Sequence, residues 1–357
     1  MRNGKRRTFQ YNIIAIICIL LLLHTGAVAQ VRDSLYARFE QDKKTFSVFE
    51  KEHRKFVKGK HHKLAYLHWG EPSEKVFVWL PGSFLSAYDF QPFAESLTAM
   101  GYYVIAVDHY GHGLTAVPKS DLDFWDFADD LNVLLDKERI GKVVLGGFSR
   151  GGYLATAFYD RYPDRISALV LEDGGSVRFQ ALFNEMTEQE RETFFQGVET
   201  PEYVKEKLFS QSGSAFDLYK NMLDFSKPDQ GYQLFGFMKK VKGKWVGYYG
   251  LDEYMHMQDG NHYRQVLYNS DSVSRYASSM VRIDPLNTFR YLKVPLLILD
   301  ATGQPDVFKS GKGNQQLQEL HPHFVTHHTF DCAEHNIHFE CPEEFLQELL
   351  GFLDSLE

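Results

Sequence analysis

The sequence predicts an α/β fold: a mostly parallel central sheet with helices on both faces and a mainly helical insertion ahead of the penultimate strand. Three features predict it. From about residue 60, short apolar runs alternate with stretches of helical spacing. Those runs lack polar alternation, as expected of strands covered on both faces. The alternation stops near Ser176, and a clear buried run returns only at Pro295–Leu299, so the chain leaves one sheet and comes back to it. A length of 357 residues accommodates one such domain with its insertion.

Taken in order, Arg32–Lys60 is dense in charge and reads as a short helix followed by an edge strand. Leu64–Trp69 and Val76–Leu80 read as strands, Phe90–Met100 as a helix, Tyr102–Val107 as a strand and Phe124–Leu135 as an amphipathic helix. Val143–Gly146 is a short apolar strand, Gly151–Tyr162 a helix and Ala168–Glu172 a strand. Within the insertion, Glu188–Gln196 and Pro201–Phe209 have helical character, and Pro342–Leu353 closes the chain as a helix. The expected division is a signal peptide over 1–29, a first core segment over 30–175, a cap over 176–290 and a second core segment over 291–357. An insertion at that point would overhang the carboxyl ends of the strands, where open α/β sheets bind ligands.

Composition narrows the function. Hydrophobic residues make up 44% and charged residues 24%, which excludes a disordered or collagen-like chain. The net charge of −8 becomes −12 once Arg2, Lys5, Arg6 and Arg7 are removed with the leader. Such a chain is a poor partner for nucleic acid, whose binding rests on neutralising phosphates. Those four residues precede the unbroken apolar run Ile13–Leu23, and Ala27-Val28-Ala29 resembles a cleavage site. The run is too short to span a bilayer comfortably. Met1–Gln30 therefore reads as a secretory signal, with an uncleaved anchor as the alternative; either way the body is expected outside the cytoplasm. Apart from Cys18, the cysteines are Cys332 and Cys341, which are open to pairing in an oxidising compartment or to burial as free thiols.

The strongest motif is Gly147-Phe148-Ser149-Arg150-Gly151, a G-x-S-x-G between an apolar strand and a helix rich in small residues. That context suits a nucleophile elbow, in which a tight turn pushes a serine hydroxyl above the sheet and the helix N-terminus offers N–H groups to developing negative charge. Leu80-Pro81-Gly82-Ser83 follows an earlier strand, and Asp108-His109-Tyr110-Gly111-His112-Gly113-Leu114-Thr115 follows the next one. Ala333-Glu334-His335-Asn336-Ile337-His338 leads into the last helix.

In order and spacing these motifs resemble the α/β-hydrolase fold family from about Lys60 to the C-terminus. The resemblance implies a capped serine hydrolase of the esterase, lipase or aminopeptidase kind. Ser149 is then the nucleophile, with a Ser in place of the Asp used by epoxide hydrolases and dehalogenases. His335 is the expected base, since a serine hydroxyl needs a neighbouring acceptor for its proton. His338 is a second candidate. The backbone N–H groups of Arg150 and of Ser83 or Phe84 are the expected oxyanion donors; Pro81 has no N–H to give.

A carboxylate must orient the imidazole. Gly303-Gln304-Pro305-Asp306 resembles the family's acid loop after the penultimate strand, so Asp306 is expected there, with a two-residue insertion. Asp173 and Asp300 are the alternatives. No metal or organic cofactor is implied. The histidines His61, His62, His321, His323, His327 and His328 follow no zinc spacing and read as solvated or strand-edge residues. His112 and Gly113 are expected to maintain a turn.

Within the cap, Phe209, Phe216, Tyr219, Phe225, Tyr232, Phe235, Phe237, Trp245, Tyr248 and Tyr249 suit either cap packing or an apolar or aromatic substrate group. Glu185, Asp252 and Asp259 are candidate partners for a cationic group, or plain surface acids. The expected reaction is cleavage of a carboxylic ester of a small molecule through an acyl-serine intermediate. A proline-iminopeptidase-like aminopeptidase, an acyltransferase and a non-catalytic binding protein remain the alternatives. No protein partner is evident in the sequence.

Overall fold

In the computed structural model the described residues are 33–357, less 185, 199–204, 206–208, 249–250, 305–308 and 357. The expected leader over Met1–Gln30 and most of the expected helix Pro201–Phe209 lie outside them. The chain begins with a helix over 33–53 (α1), longer than the charge-dense sequence suggested. An eight-stranded sheet follows, in the order β1-β2-β4-β3-β5-β6-β10-β11. Its members are β1 (Arg54–Lys58), β2 (Lys63–Trp69), β3 (Val76–Leu80), β4 (Tyr103–Asp108), β5 (Val143–Phe148), β6 (Ile166–Glu172), β10 (Leu296–Ala301) and β11 (Val325–Phe330). β2 runs antiparallel to both β1 and β4, whereas β4, β3, β5, β6, β10 and β11 pair in parallel.

Strand pleating divides the core in two. In β3, Val76, Val78 and Leu80 face one hydrophobic cluster while Phe77 and Trp79 face the other. In β4, Tyr103, Ile105 and Val107 alternate with Val104 and Ala106 in the same way. Helices α3 (Phe124–Lys137) and α4 (Arg150–Arg161) cover the first face. Helices α2 (Gln91–Ala99) and Pro342–Asp354 cover the second. A parallel sheet is stable only when covered on both sides, and its apolar strands reflect that double burial. The capping box of α3 fixes its start: Asp123 accepts from Asp126 N–H, and the Asp126 side chain accepts from Asp123 N–H.

Between β6 and β10 lie helices Phe179–Asn184, Glu188–Gly197, Ala215–Met222, Gly260–Tyr268 and Arg275–Arg282. They are joined by a small antiparallel sheet of β7 (Gln211–Ser212), β8 (Lys239–Val241) and β9 (Lys244–Val246). This segment packs on α1 through its own cluster, with Phe39 against Phe216, Tyr219 and Phe235 at 5.3–5.6 Å. Among the described residues no helix is long and apolar enough to cross a membrane.

Candidate active site

The sheet brings four loops to the carboxyl ends of its strands, the usual binding edge of an open α/β sheet. Ser149 follows β5 and immediately precedes α4. Its backbone sits at φ 51°, ψ −117°, an uncommon conformation for a side chain with a Cβ. The turn is held by Ser149 N–H donating to the Glu172 carbonyl at 2.8 Å. A Cβ on Gly151 would overlap the Leu80 carbonyl, so the helix reaches the sheet this closely only with glycine there. The result is a half-buried hydroxyl standing above the sheet, as the G-x-S-x-G motif predicts.

His335 arrives from the loop between β11 and the final helix. Its Nε2 lies 3.1 Å from Ser149 Oγ. Around it the Glu340 carboxylate accepts the backbone N–H of Glu334 (2.9 Å), of Asn336 (2.8 Å) and, more distantly, of His335 itself (3.4 Å). Burial opposes ionisation of Glu340, but those backbone donors hold its pKa below the ordinary value. Cys332 and Cys341 form a disulfide that brackets the same loop. Of the two states open in the sequence, the structure has the paired one.

Among the described residues the carboxylate beside His335 is that of an alternative named from sequence. Asp306 lies outside the described residues, while His335 Nδ1 meets Asp173 Oδ2 at 2.5 Å. Asp173 follows β6, the strand next to the nucleophile's, and its N–H donates to the Leu299 carbonyl at 2.8 Å. The residue has φ 41°, a conformation that aspartate tolerates better than most. A Cβ on the following Gly174 would overlap the Ser149 backbone, so that glycine lets the acid's loop lie against the elbow. Burial pushes the Asp173 carboxyl up to about 6, against the opposing pull of His335. Asp173, one of the two alternatives to Asp306 in the sequence, is thus the carboxylate that His335 meets among the described residues.

Asp300, the third candidate, is within β10 and takes the Ser310 hydroxyl and His327 Nε2 (2.9 Å) as partners. His338, the second candidate base, is buried beneath the site. Its Nδ1 and backbone N–H meet the Glu172 carboxylate at 2.8 and 2.9 Å, and Nε2 lies 3.7 Å from Asp89. Burial works against its charged form, yet the carboxylate of Glu172 and then that of Asp89 leave its pKa raised.

The loop after β3 is held from below by the turn after β4. His109 Nε2 lies 3.1 Å from the Pro81 carbonyl, and its Nδ1 faces the Tyr276 hydroxyl at 2.6 Å. His112 Nδ1 faces the Tyr110 carbonyl at 2.9 Å, and its Nε2 accepts from Phe84 N–H at 3.1 Å. Asp108 accepts from Ala87 and Leu114 N–H and pairs with Arg54. Burial lowers the pKa of both histidines, His109 to about 3. As neutral rings each donates through one nitrogen and accepts through the other. His112 thus has the turn-maintaining part expected of it. Its bond engages the Phe84 N–H, one of the two donors expected of this loop, Ser83 being the other.

A cavity of about 500 Å³ opens over Ser149 and His335. Its aromatic wall is made by Phe84, Phe148, Tyr153, Phe179 and Tyr263. None of the nine described cap aromatics named from sequence lines it. Phe216, Tyr219, Phe235 and Trp245 pack in the cluster on α1, Phe225 is exposed, and Tyr249 is outside the described residues. Phe209, Phe237 and Tyr248 pack behind Phe84 or against one another, and Tyr232 packs on Tyr88 and Phe49.

Of the surface acids considered, Asp259 caps helix Gly260–Tyr268, Glu185 is not among the described residues, and the Asp252 side chain is not described. His61 lies near Asp126 and Asp129 in a group with metal-compatible spacing. Lys60 (2.7 Å), Arg161 (2.5 Å) and Tyr162 (2.7 Å) already engage Asp129, so the negative charge there is spoken for.

Comparison with known proteins agrees with this fold. A sequence model of the family described as alpha/beta hydrolase fold matches residues 75–342. A putative 2-succinyl-6-hydroxy-2,4-cyclohexadiene-1-carboxylate synthase of Bacillus subtilis is 41% identical over 71 residues, 19% of this chain and 26% of that protein. A monoacylglycerol lipase of Mycolicibacterium smegmatis is 36% identical over 84 residues, 22% of this chain and 30% of that protein. The chain thus aligns with only about a quarter to a third of the length of these relatives.

Among solved structures, a carboxylesterase of the thaumarchaeon Nitrososphaera gargenis superposes with a TM-score of 0.56 at 18% identity, covering 85% of this chain and 98% of that one. A thermophilic esterase of Thermogutta terrifontis gives 0.55 at 20% identity, with 85% and 98% covered. At such identities the likeness concerns the fold alone. With the sheet order, the elbow and the matched span in agreement, the chain belongs to the α/β-hydrolase fold family.

Proposed function

We propose that this protein is an exported serine hydrolase that cleaves a carboxylic ester through an acyl-serine intermediate. The observation that carries the reading is the unbroken line from Ser149 Oγ to His335 Nε2 (3.1 Å) and from Nδ1 to Asp173 (2.5 Å), opening into a cavity. In this reading His335 takes the Ser149 proton as Oγ attacks the acyl carbon. Asp173 holds the imidazole with Nδ1 protonated and stabilises its charged form. The Arg150 and Ser83 N–H groups meet the oxyanion. The tetrahedral intermediate expels the alcohol, which takes its proton from His335. A water activated by the same ring then releases the acid and restores the serine.

Among the described residues the cavity is lined by one carboxylate, Asp173, and it faces His335. No other described lining residue offers a negative charge to a substrate ammonium, which weighs against the aminopeptidase alternative. Export rests on the Met1–Gln30 leader, and the Cys332–Cys341 bond is at home in an oxidising compartment. The test is labelling by a fluorophosphonate together with turnover of p-nitrophenyl esters. Both are expected in the wild type and absent in Ser149→Ala, with kcat falling on the order of 10⁶-fold. A folded wild type that neither labels nor turns over would favour the binding-protein alternative.

A further inference from the structure

Directly behind the nucleophile lies a positive charge with no counter-ion among the described residues. Arg150 is 1% exposed and is the sole lysine or arginine in the buried set among the described residues. Its Nε donates to Ser83 Oγ at 3.0 Å, and Nη2 contacts the Met257 sulfur. Its Nη1 is buried with no hydrogen-bond partner among the described residues. The rings of Phe124 and Tyr276 flank it at 5.9 and 5.5 Å. Arg54, the other well-enclosed arginine, shows the contrast: Glu50 and Asp108 pair with it at 3.1 and 2.7 Å. A guanidinium does not shed its proton in a protein, so an unpaired one is expensive to bury. The charge is felt nearby, since after burial itself Arg150 is the main influence lowering the His109 pKa.

The position of this charge gives it an outlet. Arg150 lines a small recess together with Phe179, Met257, Tyr263 and Met280, and those four also line the main cavity. Met257, which contacts the guanidinium, thus also lines the main cavity. Methionine is unbranched and readily changes rotamer. Ser83, which accepts from Arg150, lines the cavity too. Meanwhile the chain as a whole is acidic and would repel an anion, so an anionic ligand needs a local cation to be held.

We propose that Arg150 is the receptor for a carboxylate on the ester substrate, reached when Met257 turns aside. This rests on the ester-hydrolase reading above and names its substrate class. A charge-assisted, bidentate contact of this kind is worth about 10- to 100-fold in kcat/KM.

The test compares two matched pairs on the wild type: p-nitrophenyl hemisuccinate against p-nitrophenyl butyrate, and 4-acetoxybenzoate against 4-tolyl acetate. The first pair places the carboxylate in the acyl half and the second in the alcohol half. At least one pair is expected to favour the anion about tenfold or more, chiefly through KM. Arg150→Met should abolish that ratio and Arg150→Lys should keep part of it. The ratio cancels any general damage near the elbow. Free succinate and benzoate should also raise the thermal midpoint of the wild type, and less so that of Arg150→Met.

Neutral esters preferred in both pairs, with no stabilisation by either anion, would overturn the proposal without needing any variant to fold. Stabilisation by an anion in a protein that turns over no ester and takes no fluorophosphonate would keep the anion site and sink the hydrolase reading instead.

Discussion

Replacing Asp173 by Asn tests the assignment of the acid most directly. The Asp173 side chain is 2% exposed and lies 2.5 Å from His335 Nδ1, so the substitution removes a buried negative charge at contact distance from the ring. Two unit charges roughly 4 Å apart in an effective dielectric of about 20 attract by about 4 kcal/mol. That alone is about three decades in rate when the imidazolium forms. An asparagine that turns its NH₂ towards Nδ1 also favours the tautomer with Nε2 protonated, which cannot accept the Ser149 proton. Together the two effects predict a fall in kcat on the order of 10⁴-fold, as for triads generally. The assay is steady-state hydrolysis of p-nitrophenyl butyrate, with circular dichroism and the thermal midpoint as controls on folding. Asp306→Asn, run beside it, should stay within about twofold of wild type, as for a residue with no part in the triad. If Asp173→Asn retains more than a tenth of wild-type activity, or if Asp306→Asn falls with it, the assignment of the acid to Asp173 is refuted.

Other consequences can be measured on the same preparations. Activity requires an ionised Asp173, whose carboxyl burial raises to about 6, so kcat/KM should rise with pH along a limb whose midpoint is near 6; a flat profile from pH 4.5 to 8 would contradict it. His112→Ala leaves the Phe84 N–H without its acceptor, at about 1–3 kcal/mol. It should lower kcat for every ester by a similar factor, whatever the acyl group. His338→Gln removes the imidazole held between the buried Glu172 and Asp89 and should cost about 3 kcal/mol in urea unfolding. Because the folded pKa of His338 is raised, the wild-type advantage should be fully present below about pH 6.5 and shrink as pH rises through that raised value. An advantage that grew with pH would have the wrong sign.

The sheet was readable because its strands are apolar on both faces, and a run such as Val76–Leu80 has no other stable place. Ser149 was readable because strand, glycines and helix occur in immediate succession. His335 was readable from its place before the last helix. The neighbour of the imidazole was less so, because a loop's sequence does not reveal which strand end lies beside it. Order within the sheet decides that, and β6 sits between β5 and β10. A signal did exist in Glu172-Asp173-Gly174-Gly175, an acid followed by two glycines at the end of a buried strand. β11 escaped notice because Thr326, His327, His328 and Thr329 interrupt its apolar ends, and the paired partner of His327, Asp300, is distant in sequence. The cap aromatics misled because aromatic content does not distinguish a ring that lines a cavity from one that packs on α1.

The Cys332–Cys341 bond encloses the very segment on which the base is mounted. In the chain-entropy view, closing so short a loop constrains the unfolded chain by roughly 3 kcal/mol. Nucleophile, acid and oxyanion loop hang from neighbouring strands and owe nothing to that crosslink, whereas the imidazole is carried by a crossing thread. Thiol chemistry in the surroundings therefore acts on one member of the triad and spares the other two: a reductant would slacken the proton acceptor while the attacking group stays aimed.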